Sequence, residues 1–251
     1  MIVQSGILCL AMCVGVSTKA LAAPVSLELL LLVDVSGSVD TAEFTLQRQG
    51  YVDAFNNASV INAILGSTTG SIAVSLVYWS SAGLQQQAVG WTLIDSAASS
   101  QAFATAVGNA ARPFGGATSI SSAITYGAGL FANNFEGQRL VMDVSGDGSN
   151  NDGGSVTAAR DSAVSQGIVI NGLAILNDEP NLLTYYQQNV IGGPNSFALA
   201  ASDFSTFSTA IQQKIVTEVQ TPPSVPEPTS MVLLGTGLAG LLIRRRARTS
   251  E

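Results

Sequence analysis

Three short stretches of this chain concentrate hard oxygen donors. Asp34-Val35-Ser36-Gly37-Ser38 sets one carboxylate and two hydroxyls at i, i+2 and i+4. A tight turn, which Gly37 permits, would aim all three at one point. Gly115-Gly116-Ala117-Thr118-Ser119 adds a hydroxyl, and Ser145-Gly146-Asp147-Gly148 a second carboxylate. Carboxylates, hydroxyls and waters are the ligands Mg²⁺ prefers, so the expected cofactor is Mg²⁺, with Mn²⁺ or Ca²⁺ as the neighbouring choices. The expected metal residues are Asp34, Ser36, Ser38, Thr118 and Asp147. Each stretch also has a plain structural reading. Ser38 or Asp40 could cap a helix, Thr118 or Ser119 likewise, and Asp147-Gly148 could be a turn.

Other chemistry is excluded by what is missing. There is no histidine, and the only two cysteines, Cys9 and Cys13, stand near the start. Ser-His-Asp and Cys-His catalysis are therefore out, and zinc, which recruits imidazole or thiolate, is disfavoured. The string Gly235-Thr236-Gly237-Leu238-Ala239-Gly240 spells a dinucleotide fingerprint. It follows a proline-rich stretch rather than a strand, so it carries no nucleotide site.

The elements that must position these loops follow from periodicity. Leu27 to Val33 is a nearly continuous apolar run, as in a central parallel strand buried on both faces. Asp40 to Asn56 reads as a helix, with Asp40 and Glu43 in capping-box spacing. Ile72–Trp79 and Gln86–Trp91 read as strands joined by Ser80-Ser81-Ala82-Gly83, an antiparallel edge. Helices are predicted over 97–107, 120–131, 156–166, 181–190 and 204–218, and strands over 139–144, 168–175 and 197–200. The fold class predicted is α/β: a doubly wound, mostly parallel central sheet with one antiparallel edge strand and helices on both faces. In such a sheet ligands bind beyond the carboxyl ends of the strands, where the donor loops fall. Asp143, inside an apolar strand, is expected to accept hydrogen bonds from backbone N–H groups; the alternative is a supporting role beside the metal. Asn150 and Asp152 are expected as loop or cap residues, Trp79 and Trp91 as core, and Asp178 and Glu179 as a solvated loop.

Asp34-x-Ser36-x-Ser38, then Thr118, then Asp147 before a glycine, resembles the metal-ion-dependent adhesion site of von Willebrand factor type A (vWA) domains. The resemblance spans roughly residues 25–220. It implies direct metal contact by Ser36 and Ser38, contact by Thr118 that depends on ligation state, and action through water by Asp34 and Asp147. One departure is Ala117, which separates Thr118 from the Gly-Gly pair that it follows directly in many members. Val141–Asn151 and Tyr185–Pro194 are similar to a bacterial subfamily of unassigned function.

Both ends read as addresses. Residues 1–22 resemble a secretory signal peptide, with an apolar stretch from Ile7 to Val16 and Ala20-Leu21-Ala22 at the cleavage site. Residues 221–230 form a proline-rich linker containing Pro226-Glu227-Pro228, and residues 231–251 a short apolar helix ending in Arg244-Arg245-Arg246. This order resembles the PEP-CTERM sorting signal of Gram-negative bacteria. It implies an inner-membrane intermediate held transiently by the tail, recognition by an exosortase-type protease, and release to the cell surface or extracellular matrix. The alternative is an ordinary C-terminal membrane anchor, although thirteen apolar residues fall short of the ~20 that span a bilayer.

Residues 23–228 carry five cations and 16 acids, a formal charge of −11. Such a surface repels nucleic acid and anionic lipid. The function expected is therefore a cation-dependent binding or adhesion module, not an enzyme, that takes a carboxylate from a protein or an acidic polysaccharide. The alternatives are a passive matrix or envelope component with a stabilising metal, and a metal-assisted hydrolase.

Overall fold

The computed structural model describes residues 22–222. All but the last residue of the expected leader, and the linker and tail beyond Pro222, lie outside them. Among the described residues no helix is long and apolar enough to cross a membrane.

The central strand is β2 (Glu28–Asp34), every residue of which is buried. Its alternation feeds two cores. Leu29, Leu31 and Val33 face one layer of helices, while Leu30 and Leu32 face the other. Full burial of each such aliphatic side chain contributes roughly 1.5–3 kcal/mol, which makes this strand the spine of the domain. β3 (Ile72–Trp79) and β6 (Leu140–Gly146) flank it in parallel. β7 (Ile168–Ile175) and β8 (Ala198–Ala201) continue on one side. β4 (Gln85–Ile94) pairs antiparallel with β3, giving the order β4-β3-β2-β6-β7-β8. The doubly wound sheet with one antiparallel edge is thus the fold expected. The edge strand is longer than its apolar run, because pairing with β3 through a bulge recruits the polar Gln85 and the residues out to Ile94.

Helices α1 (Thr41–Asn56), α3 (Ala97–Asn109) and α7 (Phe207–Gln220) cover one face. α4 (Ile120–Leu130) and α5 (Val156–Ser165) cover the other, with α6 (Leu182–Tyr185) and the π-helical turn Tyr186–Val190. α1 is capped as its sequence implies. Asp40 accepts from Glu43 N at 2.8 Å, and Glu43 accepts from Asp40 N at 2.8 Å.

Three features depart from the predicted elements. Ala58–Leu65 forms a further helix, α2, started by Asn57, whose side chain accepts from Ser59 N. Its Val60 and Ile61 read locally as strand formers, and packing of Val60 and Ile64 into the core decides otherwise. Ala23–Val25 (β1) and Phe135–Gly137 (β5) form a separate two-stranded parallel sheet. Buried Glu28 ties it down by accepting from Gly137 N and Asn133 Nδ2, each at 2.7 Å. The predicted helix over 181–190 widens into a π turn at Tyr186, whose ring packs closely against Gly172.

Candidate metal centre

The three donor loops leave the carboxyl ends of β2 and β6 and the N-terminus of α4, and they meet. Ser36 Oγ lies 3.2 Å from Ser38 Oγ and accepts from Thr118 Oγ1 at 3.3 Å. Ser38 Oγ donates to Asp147 Oδ1 at 2.7 Å. Asp34 Oδ1 accepts from Ser36 N at 2.7 Å, which folds the Asp-x-Ser turn onto itself. All five predicted site residues therefore belong to one cluster. Asp34, Ser36, Thr118 and Asp147 are buried, whereas Gly37 and Ser38 are exposed, so the cluster opens to solvent past Ser38.

The capping alternatives are also resolved by geometry. Asp40, not Ser38, caps α1, which leaves Ser38 to Asp147. Ser119 stands at the N-cap of α4 without a capping bond from its side chain, and Thr118 points to Ser36.

Two oxygens of this cluster, Asp34 Oδ2 and Asp147 Oδ2, are buried with no hydrogen-bond partner. Burial first, and the nearby Asp147 charge second, push the Asp34 carboxyl up to about 8. Burial likewise raises Asp147, against the hydrogen bond from Ser38. An unpartnered buried carboxylate oxygen is costly unless something positive meets it. Two such oxygens beside three mutually close hydroxyls are the donor set of a hard divalent cation. Among the described residues no three His, Cys, Asp or Glu side chains group to hold a metal, so any such ion would rely on the hydroxyls.

The alignment of the loops is maintained by further contacts, some from residues that local sequence did not single out. Gly37 N donates to Gly116 O at 2.7 Å; a Cβ on Gly37 would stand 3.2 Å from that carbonyl, so glycine serves the close approach. Arg112 Nη2 donates to Val35 O (2.9 Å) and Ser36 O (2.8 Å), clamping the first loop. Asn151 Oδ1 accepts from Thr118 N, and Asn150 Oδ1 from Ser121 N, so the third loop holds the second. Asp152 accepts from Ala82 N. Tyr186 is wholly buried beside the two acids, its hydroxyl without a partner.

A family model described as "Protein of unknown function (DUF1194)" matches residues 24–223, nearly the whole body of the chain. The chain belongs to that DUF1194 family. A second model, the PEP-CTERM protein-sorting motif, matches residues 224–246, and it marks the DUF1194 chain as exported and associated with the cell surface. No curated protein matches the chain.

Solved structures give the fold its kinship. Proximal thread matrix protein 1 from the mussel byssus is 15% identical with a TM-score of 0.58, over 79% of this chain and 48% of that one. The pilus adhesin SpaC from Lactobacillus rhamnosus GG, in its open conformation, is 18% identical with a TM-score of 0.55, over 79% and 30%. A von Willebrand factor type A protein from Catenulispora acidiphila is 13% identical with a TM-score of 0.53, over 78% and 43%. The DUF1194 chain has the vWA fold, and it spans less than half the length of these solved chains. The mussel protein has also been solved with a zinc-occupied MIDAS (metal-ion-dependent adhesion site) motif.

Two sequence readings are corrected by this DUF1194 domain. Asp143 accepts no backbone N–H; it faces Lys214 Nζ at 2.7 Å, an ion pair between residues distant in sequence. Glu179 is no solvated loop acid, since it accepts from Ser149 N at 2.8 Å and from Ser149 Oγ, bracing the loop that carries Asp147. Asp178 is exposed as expected, Trp79 is core, and half-buried Trp91 donates to Leu130 O.

Proposed function

We propose that this exported vWA-type domain is a divalent-cation-dependent binding module, not an enzyme. The observation that carries the reading is the pair of partnerless buried carboxylate oxygens, Asp34 Oδ2 and Asp147 Oδ2, beside the hydroxyls of Ser36, Ser38 and Thr118. Those five side chains would hold Mg²⁺ or a similar ion, directly or through water. A cation held by neutral hydroxyls and few charges supplies Lewis acidity to a ligand's carboxylate. The chain's own contribution is alignment. Arg112, Asn151 and the Gly37–Gly116 contact keep the donors together, and exposed Ser38 leaves one side open.

The rim narrows the ligand class. Glu43 and Asp178 stand near enough to Asp147 to raise its carboxyl, so the mouth of the site is acidic. A polyanionic polysaccharide would meet that rim with many charges. A protein side chain, Asp or Glu, brings one carboxylate, and basic neighbours of it would complement the rim. The matrix role named for the mussel protein, and the adhesin role named for SpaC, accord with such a surface-displayed binder.

The test is calorimetric titration of the protein with Mg²⁺ and Mn²⁺ beside the Asp34→Ala variant. Wild type is expected to bind one ion per domain and the variant at least tenfold more weakly. Equal binding by both, or none by wild type, refutes the metal. A glutamate-containing peptide that competes only when the ion is present supports a binding module. Stabilisation by the ion with no such competition identifies a purely structural metal instead.

A further inference from the structure

Away from the metal centre, three ionisable side chains meet inside the core between β6 and α7. Lys214, Asp143 and Glu218 are each fully buried. Lys214 Nζ lies 2.7 Å from Asp143 Oδ1 and donates to Glu218 Oε1 at 2.6 Å. The Phe197 ring closes another side, 5.4 Å from the nitrogen. Asn171 Nδ2 donates to Glu218 Oε1 at 2.9 Å, while its own oxygen accepts from Phe197 N.

An ordinary buried ion pair satisfies its polar atoms, and this one does not. Both Asp143 oxygens and Glu218 Oε2 lack a hydrogen-bond partner. The 2.7 Å approach of Lys214 to Asp143 is close yet lacks hydrogen-bond direction. With Nζ 2.7 Å from Oδ1, the carboxyl carbon one C–O bond further on lies at most about 4 Å from the nitrogen, so a small side-chain shift brings it into the range from which a nucleophile adds. The triad also carries one cation against two acids. In a medium closed to water that excess charge favours a proton on one acid, and burial raises Asp143 in particular.

We propose that Lys214 and Asp143 condense into an intramolecular amide, with Glu218 as the proton carrier. Glu218 takes one proton from the Lys214 ammonium. The freed lone pair forms the Nζ–Cγ bond with the neutral Asp143 carboxyl. The Cγ–OH bond breaks, and the hydroxyl leaves with a second nitrogen-bound proton as one water. One hydrogen stays on the amide nitrogen, and Glu218 ends as a neutral acid. Neither oxidant nor cofactor enters the balance. The product removes every formal charge from the triad, a gain where an imperfectly paired ion would otherwise sit in the core. The residues after the expected leader contain no cysteine, so a disulfide cannot staple this exported domain, and an amide can.

Trypsin provides a clean assay, because its sites isolate the acceptor. Cleavage after Arg139 and Arg160 releases peptide 140–160, which carries Asp143. Lys214 ends the peptide that begins at Asp161 and carries Asn171; with Lys214 blocked, that peptide runs on through Glu218. The full chain, denatured and digested, is expected to yield these two peptides joined. Their mass should be short by one water, about 18 Da, with no cleavage after Lys214. Free peptide 140–160 overturns the proposal, and that holds equally for a link from Lys214 to Asn171 or Glu218, which would leave 140–160 free. Glu218→Gln, checked for native circular dichroism, is expected to give the two peptides unlinked. A linked, folded Glu218→Gln overturns the role given to Glu218, and the wild-type digest decides the amide whether or not that variant folds.

Discussion

Asp34 and Asp147 place two carboxylates in one buried pocket, where the charge of Asp147 is the second cause, after burial, of the raised Asp34 carboxyl. Without a cation this is mutual repulsion in poor solvent, and with one it is the binding site. The two conditions therefore give opposite signs for the same substitution. Asp147→Asn keeps an acceptor for Ser38 and removes one charge. In chelator it is expected to raise the melting temperature by roughly 2–4 °C, corresponding to about 1 kcal/mol in a domain of this size. In excess Mg²⁺ wild type is expected to gain several degrees by mass action and the variant to gain almost nothing. Paired thermal melts check both signs at once, and a variant less stable than wild type in chelator would show that the pocket acids do not repel. All five donor residues could be singled out from sequence because each stands in a short stretch whose own pattern marks it. Tyr186 and Arg112 could not, since a tyrosine on a helix and an arginine in a loop carry no local mark of the loop they contact.

The loops owe their arrangement to the ends of the elements that deliver them. β2 and β6 run side by side in parallel, so Asp34 and Asp147 emerge at the same edge of the sheet. α4 begins beside them because Thr118 N and Ser121 N are held by Asn151 and Asn150. Gly116 is the tight point of that approach. Its φ is +135°, and a Cβ there would collide with Ser81 Oγ, which accepts from Ala117 N. Gly116→Ala is expected to cost about 1–3 kcal/mol and to weaken Mg²⁺ binding severalfold by shifting Thr118. Gly83→Ala is the matched control. Gly83 also has positive φ, +80°, but no neighbour where its Cβ would stand, so stability should fall while metal affinity holds. Chemical denaturation and titration of both variants separate backbone strain from displacement of the loop. The strands and most helices were legible from periodicity alone. α2 and the small β1–β5 sheet were not, because Val-Ile pairs and three-residue strands take their state from the surfaces they meet.

Over the whole domain, α7 is joined to the sheet at two levels. Arg139 Nη1 donates to Glu218 O and Thr221 O, each at 2.6 Å, at the helix end. One turn earlier Lys214 reaches Asp143, and Glu218 pairs with Lys214. An amide between Lys214 and Asp143 would close a loop of about 70 residues and lower the entropy of the unfolded chain by an amount worth about 4 kcal/mol. Glu218→Gln, left unlinked, is therefore expected to melt roughly 10 °C or more below the linked wild type. Calorimetry on both proteins measures the difference, and equal melting temperatures would count against a covalent tie. The charge of −11 over residues 23–228 acts at this scale too, for it selects partners that bring a cation or bind through one.

Local spacing by itself determined the alternation of strand and helix, the antiparallel edge, the three oxygen-bearing loops and the sorting motif at the C-terminal end. Each is a pattern within a few residues of itself: a period of two or 3.6, a capping pair, a run of proline. Tertiary structure alone decided what those patterns face. It brought Asp143 to Lys214 across 71 positions, set Glu179 under the Asp147 loop and left two carboxylate oxygens without partners. Side chains far apart in the chain meet only when the sheet order and the helix docking are settled, and no local periodicity records which meeting results.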